Sequence, residues 1–153
     1  MGDILVPVKG EPQDDEAIRL ACRLARNSKG RVFVRYVIEV PRNMNLPLSL
    51  ELPQEQEKGQ EALKRAEKVA TGERYRLTGE LLDARDAGTA LVKEAVEQGV
   101  ELIVLGMSYR RSMGLFTLGD TVSYILKNAP CRVWLCREPM ETTPTSGNAG
   151  QQQ

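Results

Sequence analysis

Short apolar runs alternate with amphipathic stretches along the whole chain. Residues 3–8, DILVPV, form the first apolar run and predict a strand, with Pro7 near its end because proline donates nothing to a ladder. Lys9-Gly10-Glu11-Pro12 reads as a loop. Asp14 or Asp15 then predicts the cap of a helix whose apolar stripe is Ala17, Ile18, Ala21, Cys22 and Ala25. Asn27 to Gly30 closes it. Residues 31–40, RVFVRYVIEV, are rich in β-branched and aromatic side chains and predict a second strand. Residues 41–53 hold three prolines and no settled period, so they read as a loop. A charged helix follows over 55–70, with Ala62, Leu63, Ala66, Val69 and Ala70 facing inward. Residues 76–82 predict a third, weaker strand. Asp86 or Ala87 opens the next helix, with Ala90, Leu91, Ala95 and Val96 as its buried face and Gly99 as its end. Residues 102–105, LIVL, are wholly apolar and stop at Gly106, the pattern of a strand buried on both faces. A polar loop spans 107–113, and Thr117 stands where a last helix begins, carrying Val122, Ile125, Leu126 and Ala129 at helical spacing. Ala129-Pro130 turns the chain into a fifth strand over 131–136, CRVWLC.

Five alternations of strand and helix predict a single-domain α/β fold: a five-stranded parallel sheet with helices on both faces, Rossmann-like, of nucleotide-binding-type α/β hydrolase architecture. The domain spans 1–138. Residues 139–153, which include ETTPTSGNAGQQQ, are polar, low in complexity and read as a disordered tail. Ligands of such sheets bind beyond the carboxyl ends of the strands, where strand order reverses. The loops at issue are 9–12, the stretch from Val40 onward, and 106–119.

Composition narrows the function. A chain of 153 residues fits one domain with a proper core. Lys+Arg and Asp+Glu both number 21, so no long-range field draws in nucleic acid or an anionic membrane. No apolar run approaches the roughly 20 residues of a membrane helix. The start, MGDILVPVKG, lacks the pattern of an export signal, which predicts a cytoplasmic protein. There is no histidine, which excludes Ser-His-Asp and Cys-His catalysis and His-ligated metal. Cys22, Cys131 and Cys136 have no metal-ligand spacing and read as reduced, small buried apolar residues. No metal site is expected.

The run ELIVLGMSYRRSMGLFTLGDT, residues 101–121, carries the candidate chemistry. Strand, glycine loop and helix start together present free backbone N–H groups to an anion. The segment GMSYRRSMGLFTLGD followed by APCRVWLC, together with the opening ILVPVKG, resembles the universal stress protein family over roughly residues 3–137. Nucleotide-binding members of that family carry a glycine, two residues, a glycine, nine residues, then a glycine and a Ser or Thr. Gly106 and Gly119 match the outer glycines, and Gly114 matches a further one often found between them. Tyr109 stands at the second glycine, Asp120 at the Ser/Thr position, and Lys9 where many members have an Asp.

The resemblance implies a pocket at Val8, Lys9, Gly106, Tyr109, Arg110, Gly114, Gly119 and Asp120, with the backbone near Val37 and Ile38 recognising adenine. It implies ATP or AMP as the ligand where one binds. The three departures predict weak or no ATP binding. Tyr109 restricts a backbone that glycine would leave free, and ionised Asp120 offers acceptors where a hydroxyl would donate. A carboxylate about 4 Å from a phosphate charge costs on the order of 4 kcal/mol at an effective dielectric near 20, about three decades of affinity. Arg110 and Arg111 offset part of this if they fold over the site. Gly114 to Thr121 also reads G-x-x-x-x-G-D-T, a P-loop without its lysine.

Each feature has a plainer role open to it. Gly106 and Gly119 can serve turns and close helix–sheet packing, Asp120 the helix terminus, and Lys9, Arg110 and Arg111 a solvated loop. The leading expectation is a dimeric regulatory or binding protein of the stress response, acting through a protein partner without turnover. The alternative is a functional ATP- or AMP-binding stress protein, or a slow ATPase. The resemblance also implies a homodimer through the last strand, residues 131–136, whose alternation places Val133 and Leu135 on one face and Arg132, Trp134 and Cys136 on the other.

Overall fold

A computed structural model describes residues 2–42, 52–107, 111–112, 115–116 and 119–139. Its elements, in order, are β1 (Ile4–Pro7), α1 (Gln13–Ser28), β2 (Val32–Glu39), α2 (Pro53–Gly72), β3 (Thr78–Ala84), α3 (Ala87–Gln98), β4 (Leu102–Met107), β5 (Arg111–Ser112), β6 (Leu115–Phe116), α4 (Asp120–Asn128) and β7 (Arg132–Arg137). Five strands form one parallel sheet in the order β3-β2-β1-β4-β7. β1 lies at its centre, in register with both neighbours: Leu5 faces Phe33 of β2 and Ile103 of β4. The tail from residue 140 onward lies outside the described residues.

The period-two alternation of the strands divides the core into two layers. Ile4, Val6, Val32, Val34, Leu102 and Val104 meet the small-residue stripes of α1 and α2. Leu5, Phe33, Ile103 and Leu105 meet Leu91 and Ala95 of α3 and Val122 and Ile125 of α4. Cys22 sits wholly inside the first layer, and burial pushes its thiol up to about 11. Cys131 and Cys136 are half-buried, short of the expected full burial.

The structure corrects several sequence expectations. β4 runs on to Met107, and the loop after it contains the two-residue antiparallel ladder β5–β6. α4 starts at Asp120, later than Thr117, because Gly119 before it adopts φ 85 and ψ 160, a non-helical backbone that suits glycine. Neither Asp14 nor Asp15 caps α1, whose N-cap is Pro12 with no side-chain hydrogen bond. On α3 the inward stripe is Gly88, Leu91, Glu94 and Ala95, while Val96 is 58% exposed. Val96 lies one residue, about 100°, beyond the stripe that reaches the sheet. Leu126 of α4 is likewise 43% exposed.

Glu94 is buried because β2 offers it a partner. Arg35 is 2% exposed, and its Nε donates to Glu94 Oε2 at 2.6 Å. Its Nη1 donates to the carbonyls of Val34 and Thr78 at 3.1 and 3.2 Å. The guanidinium also lies 5.3 Å from the centre of the Phe33 ring. One cation thus ties β2, β3 and α3 together.

Candidate binding site at the switch point

Strand order reverses between β1 and β4, and a cavity of about 340 Å³ opens at the carboxyl ends of those strands and β2. Val8, Val37, Leu91, Leu105 and Val122 form its apolar wall. Lys9, Asp14, Arg35, Glu39, Glu55 and Thr121 supply its polar groups.

The floor is made by a close approach of strand and helix. A Cβ at Gly106 would lie 2.4 Å from the carbonyl oxygen of Gln13 and 3.3 Å from Ala17 Cβ. Here the packing role of Gly106 is explicit: α1 starts directly over this position.

Asp14 organises the loop after β1. From the first turn of α1 its carboxylate reaches back, and Oδ2 accepts the N–H groups of Lys9, Gly10 and Glu11 at 3.1, 2.6 and 3.0 Å. Converging N–H groups of this kind make a concavity suited to an anion, and here the anion is the protein's own side chain. Burial pushes the Asp14 carboxyl above its ordinary range, against the pull of the three N–H bonds. Because the folded value is the higher one, the contribution of Asp14 to stability is present in acid and lost as pH rises through the raised value.

The start of α3 is satisfied in the same manner. Glu39 Oε2 accepts the Ala87 N–H at 2.8 Å, and Asp86 Oδ2 accepts the Thr89 N–H at 2.9 Å. α4 differs: its N-cap, Gly119, makes no side-chain hydrogen bond, and Asp120 occupies the first helical position in the exposed state. An acid there is favoured by about 0.3–1 kcal/mol.

Of the residues singled out from the sequence, Val8, Lys9, Val37 and Gly106 come together in the cavity. Ile38 is buried and, by strand alternation, points to the opposite face from Val37. Asp120 is not part of the lining; its neighbour Thr121 is. Tyr109, Arg110 and Gly114 lie outside the described residues. Sequence reasoning overlooked the polar lining residues Asp14, Arg35, Glu39, Glu55 and Thr121. Asp14 alone left a local signal, an acid four residues after Gly10 in a helical first turn.

Residues 1–137 match the model of the universal stress protein family. A universal stress protein of Methanocaldococcus jannaschii is 31% identical over 89% of this chain and 82% of its own length. Among solved structures, the universal stress protein from Archaeoglobus fulgidus has a TM-score of 0.75 at 19% identity, over 88% of this chain and 98% of that one. The Archaeoglobus fulgidus protein in complex with dAMP gives 0.70 at 18% identity, with 88% and 97% covered. UspA from Lactobacillus plantarum gives 0.69 at 23% identity, with 89% and 97% covered. At these identities the structural matches speak for the fold.

Proposed function

The chain belongs to the universal stress protein family, and we propose that it is a binding module of the stress response, working in the cytoplasm through a protein partner without turnover, with a degenerate nucleotide pocket that holds ATP weakly or not at all. One observation carries this reading. The N–H donors of the β1–α1 loop and of the α3 start already hold carboxylates of the chain itself, Asp14 from α1 and Glu39 from the end of β2. A phosphate arriving there meets occupied donors and negative charge. Calorimetry on the unmodified protein is expected to find ATP binding weaker than the low-micromolar range; an affinity inside that range would defeat the proposal.

Asp120→Ser is expected to improve ATP affinity more than Lys9→Asp, since it removes repulsion and adds a donor at an uncapped helix start. Titrations in which Asp120→Ser brings no gain, alone or with Tyr109→Gly, would remove Asp120 from the site.

The alternative reading, a functional ATP or AMP binder or a slow ATPase, draws on relatives solved with dAMP, cAMP and AMP. It also draws on a cavity at the switch point of the sheet. Adenine nucleotide carried through purification, or phosphate release at ordinary turnover, would favour it.

Assembly as a homodimer belongs to the same proposal. β7 is an edge strand with no proline inside it, and Leu135 is 37% exposed. Antiparallel pairing of residues 132–136 with a symmetry mate satisfies that edge and closes a two-fold interface. Val133→Lys or Leu135→Lys is expected to weaken association, while a charge change at Arg65, paired with Asp15 on α1, is not. Sedimentation of the parent as a monomer at tens of micromolar would refute this, as would a dimer indifferent to both strand substitutions.

A further inference from the structure

We propose that the pocket selects an uncharged or cationic, donor-rich heterocycle of nucleoside size and discriminates against its phosphorylated forms. This rests on the reading above and adds a ligand class to it.

Three properties of the cavity carry the inference. The first is size and wall: about 340 Å³, with Val8, Val37, Leu91, Leu105 and Val122 on its sides, suits a flat apolar-faced ring. The second is the balance of charge among the described lining residues. Asp14, Glu39 and Glu55 contribute carboxylates, against the cations Lys9 and Arg35. The Arg35 charge is taken up by Glu94 at 2.6 Å, which leaves Lys9, on an exposed loop, as the counter-charge. Glu55 also lies 3.6 Å from Lys58, but both are solvent-accessible on one helix face, and such pairs hold little.

The third property is the direction of the hydrogen bonds. The backbone donors of Lys9, Gly10, Glu11 and Ala87 are spent on Asp14 and Glu39. The three carboxylates of the lining add acceptors only, since an ionised carboxylate has about four acceptor sites and donates nothing; the donors beside them are the Thr121 hydroxyl and the Lys9 ammonium. A ligand with amino and hydroxyl donors and no anionic group complements such a lining. Each added phosphate brings negative charge toward carboxylates in a recess where screening is weaker than in bulk water.

The test is calorimetry on the full chain with adenosine, AMP and ATP, at low and high ionic strength. Adenosine is expected to bind tightest and ATP weakest, by at least about tenfold at low salt, with the gap closing as salt rises. Glu55→Gln, on the first turn of α2, and Asp14→Asn should each narrow the gap from both sides, raising AMP and ATP affinity by removing negative charge and lowering adenosine affinity by removing a charged acceptor. Among the described residues Glu55 pairs only with exposed Lys58, so Glu55→Gln keeps the comparison readable if Asp14→Asn loosens the loop; a thermal melt of each variant reports that. ATP binding equal to or tighter than adenosine, yet weaker than low-micromolar, overturns this inference and leaves the weak-ATP reading standing. Low-micromolar ATP overturns both. Absence of adenosine binding at millimolar concentration overturns the inference alone, as does a salt-independent gap.

Discussion

Arg35→Met is expected to lower stability by about 3–5 kcal/mol, because it strands a buried carboxylate. Glu94 loses the guanidinium that holds it at 2.6 Å on the inner face of α3, and the donors to the Val34 and Thr78 carbonyls go with it. The longer contact from Arg35 to Glu80, 3.8 Å to an exposed carboxylate, adds little to this sum. For a domain of this size the loss corresponds to a fall on the order of 10 °C in the thermal midpoint. The paired change Arg35→Met with Glu94→Leu is expected to recover most of it, since replacing a buried ion pair by apolar groups of similar volume is often neutral. Thermal and urea denaturation of the single and paired variants decides the matter. A single variant within about 1 kcal/mol of the parent would mean that Glu94 finds water or another partner.

Gly106→Ala is the second large effect, expected at about 1–3 kcal/mol with the fold retained. The added Cβ would stand 2.4 Å from the Gln13 carbonyl oxygen and 3.1 Å from its carbon, both backbone atoms that cannot swing aside. α1 must lift from β4, and Val and larger residues at 106 should be worse. Gly119→Ala makes a useful contrast. Among the described residues a Cβ there meets nothing within 4 Å, but φ of 85 is strained for any side chain, so its penalty is conformational. Both variants can be compared by denaturation and by ligand titration. A Gly106→Ala protein of full stability that had lost ligand binding would reassign Gly106 from packing to ligand approach.

The order of strands and helices was legible in the chain because each apolar run is short, bounded by Gly, Pro or acid, and followed by a stripe of helical period. DILVPV and LIVL could be read as central strands, since segments buried on both faces lose their polar alternation. The resemblance to the universal stress family, rather than the succession of elements, suggested Val8, Lys9, Val37 and Gly106 as one site, and these four line one cavity in the fold. Periodicity erred where the buried stripe is narrow. Val96 and Leu126 looked inward because they are apolar, yet each sits about a quarter-turn from the residues that touch the sheet.

By itself, then, the sequence determined the fold class and the strand–helix succession, both of which depend on local periodicity and short connections. Only the tertiary structure decided what the cavity is made of. Arg35 and Glu94 lie 59 residues apart and look like ordinary surface charges until β2 and α3 are stacked. Glu39 meets Ala87 across 48 residues, and nothing in either neighbourhood announces it. Asp14 reads as a cap for the helix that it begins, but the turn of the chain at Gly10 brings three N–H groups within its reach, and a carboxylate goes where the donors converge.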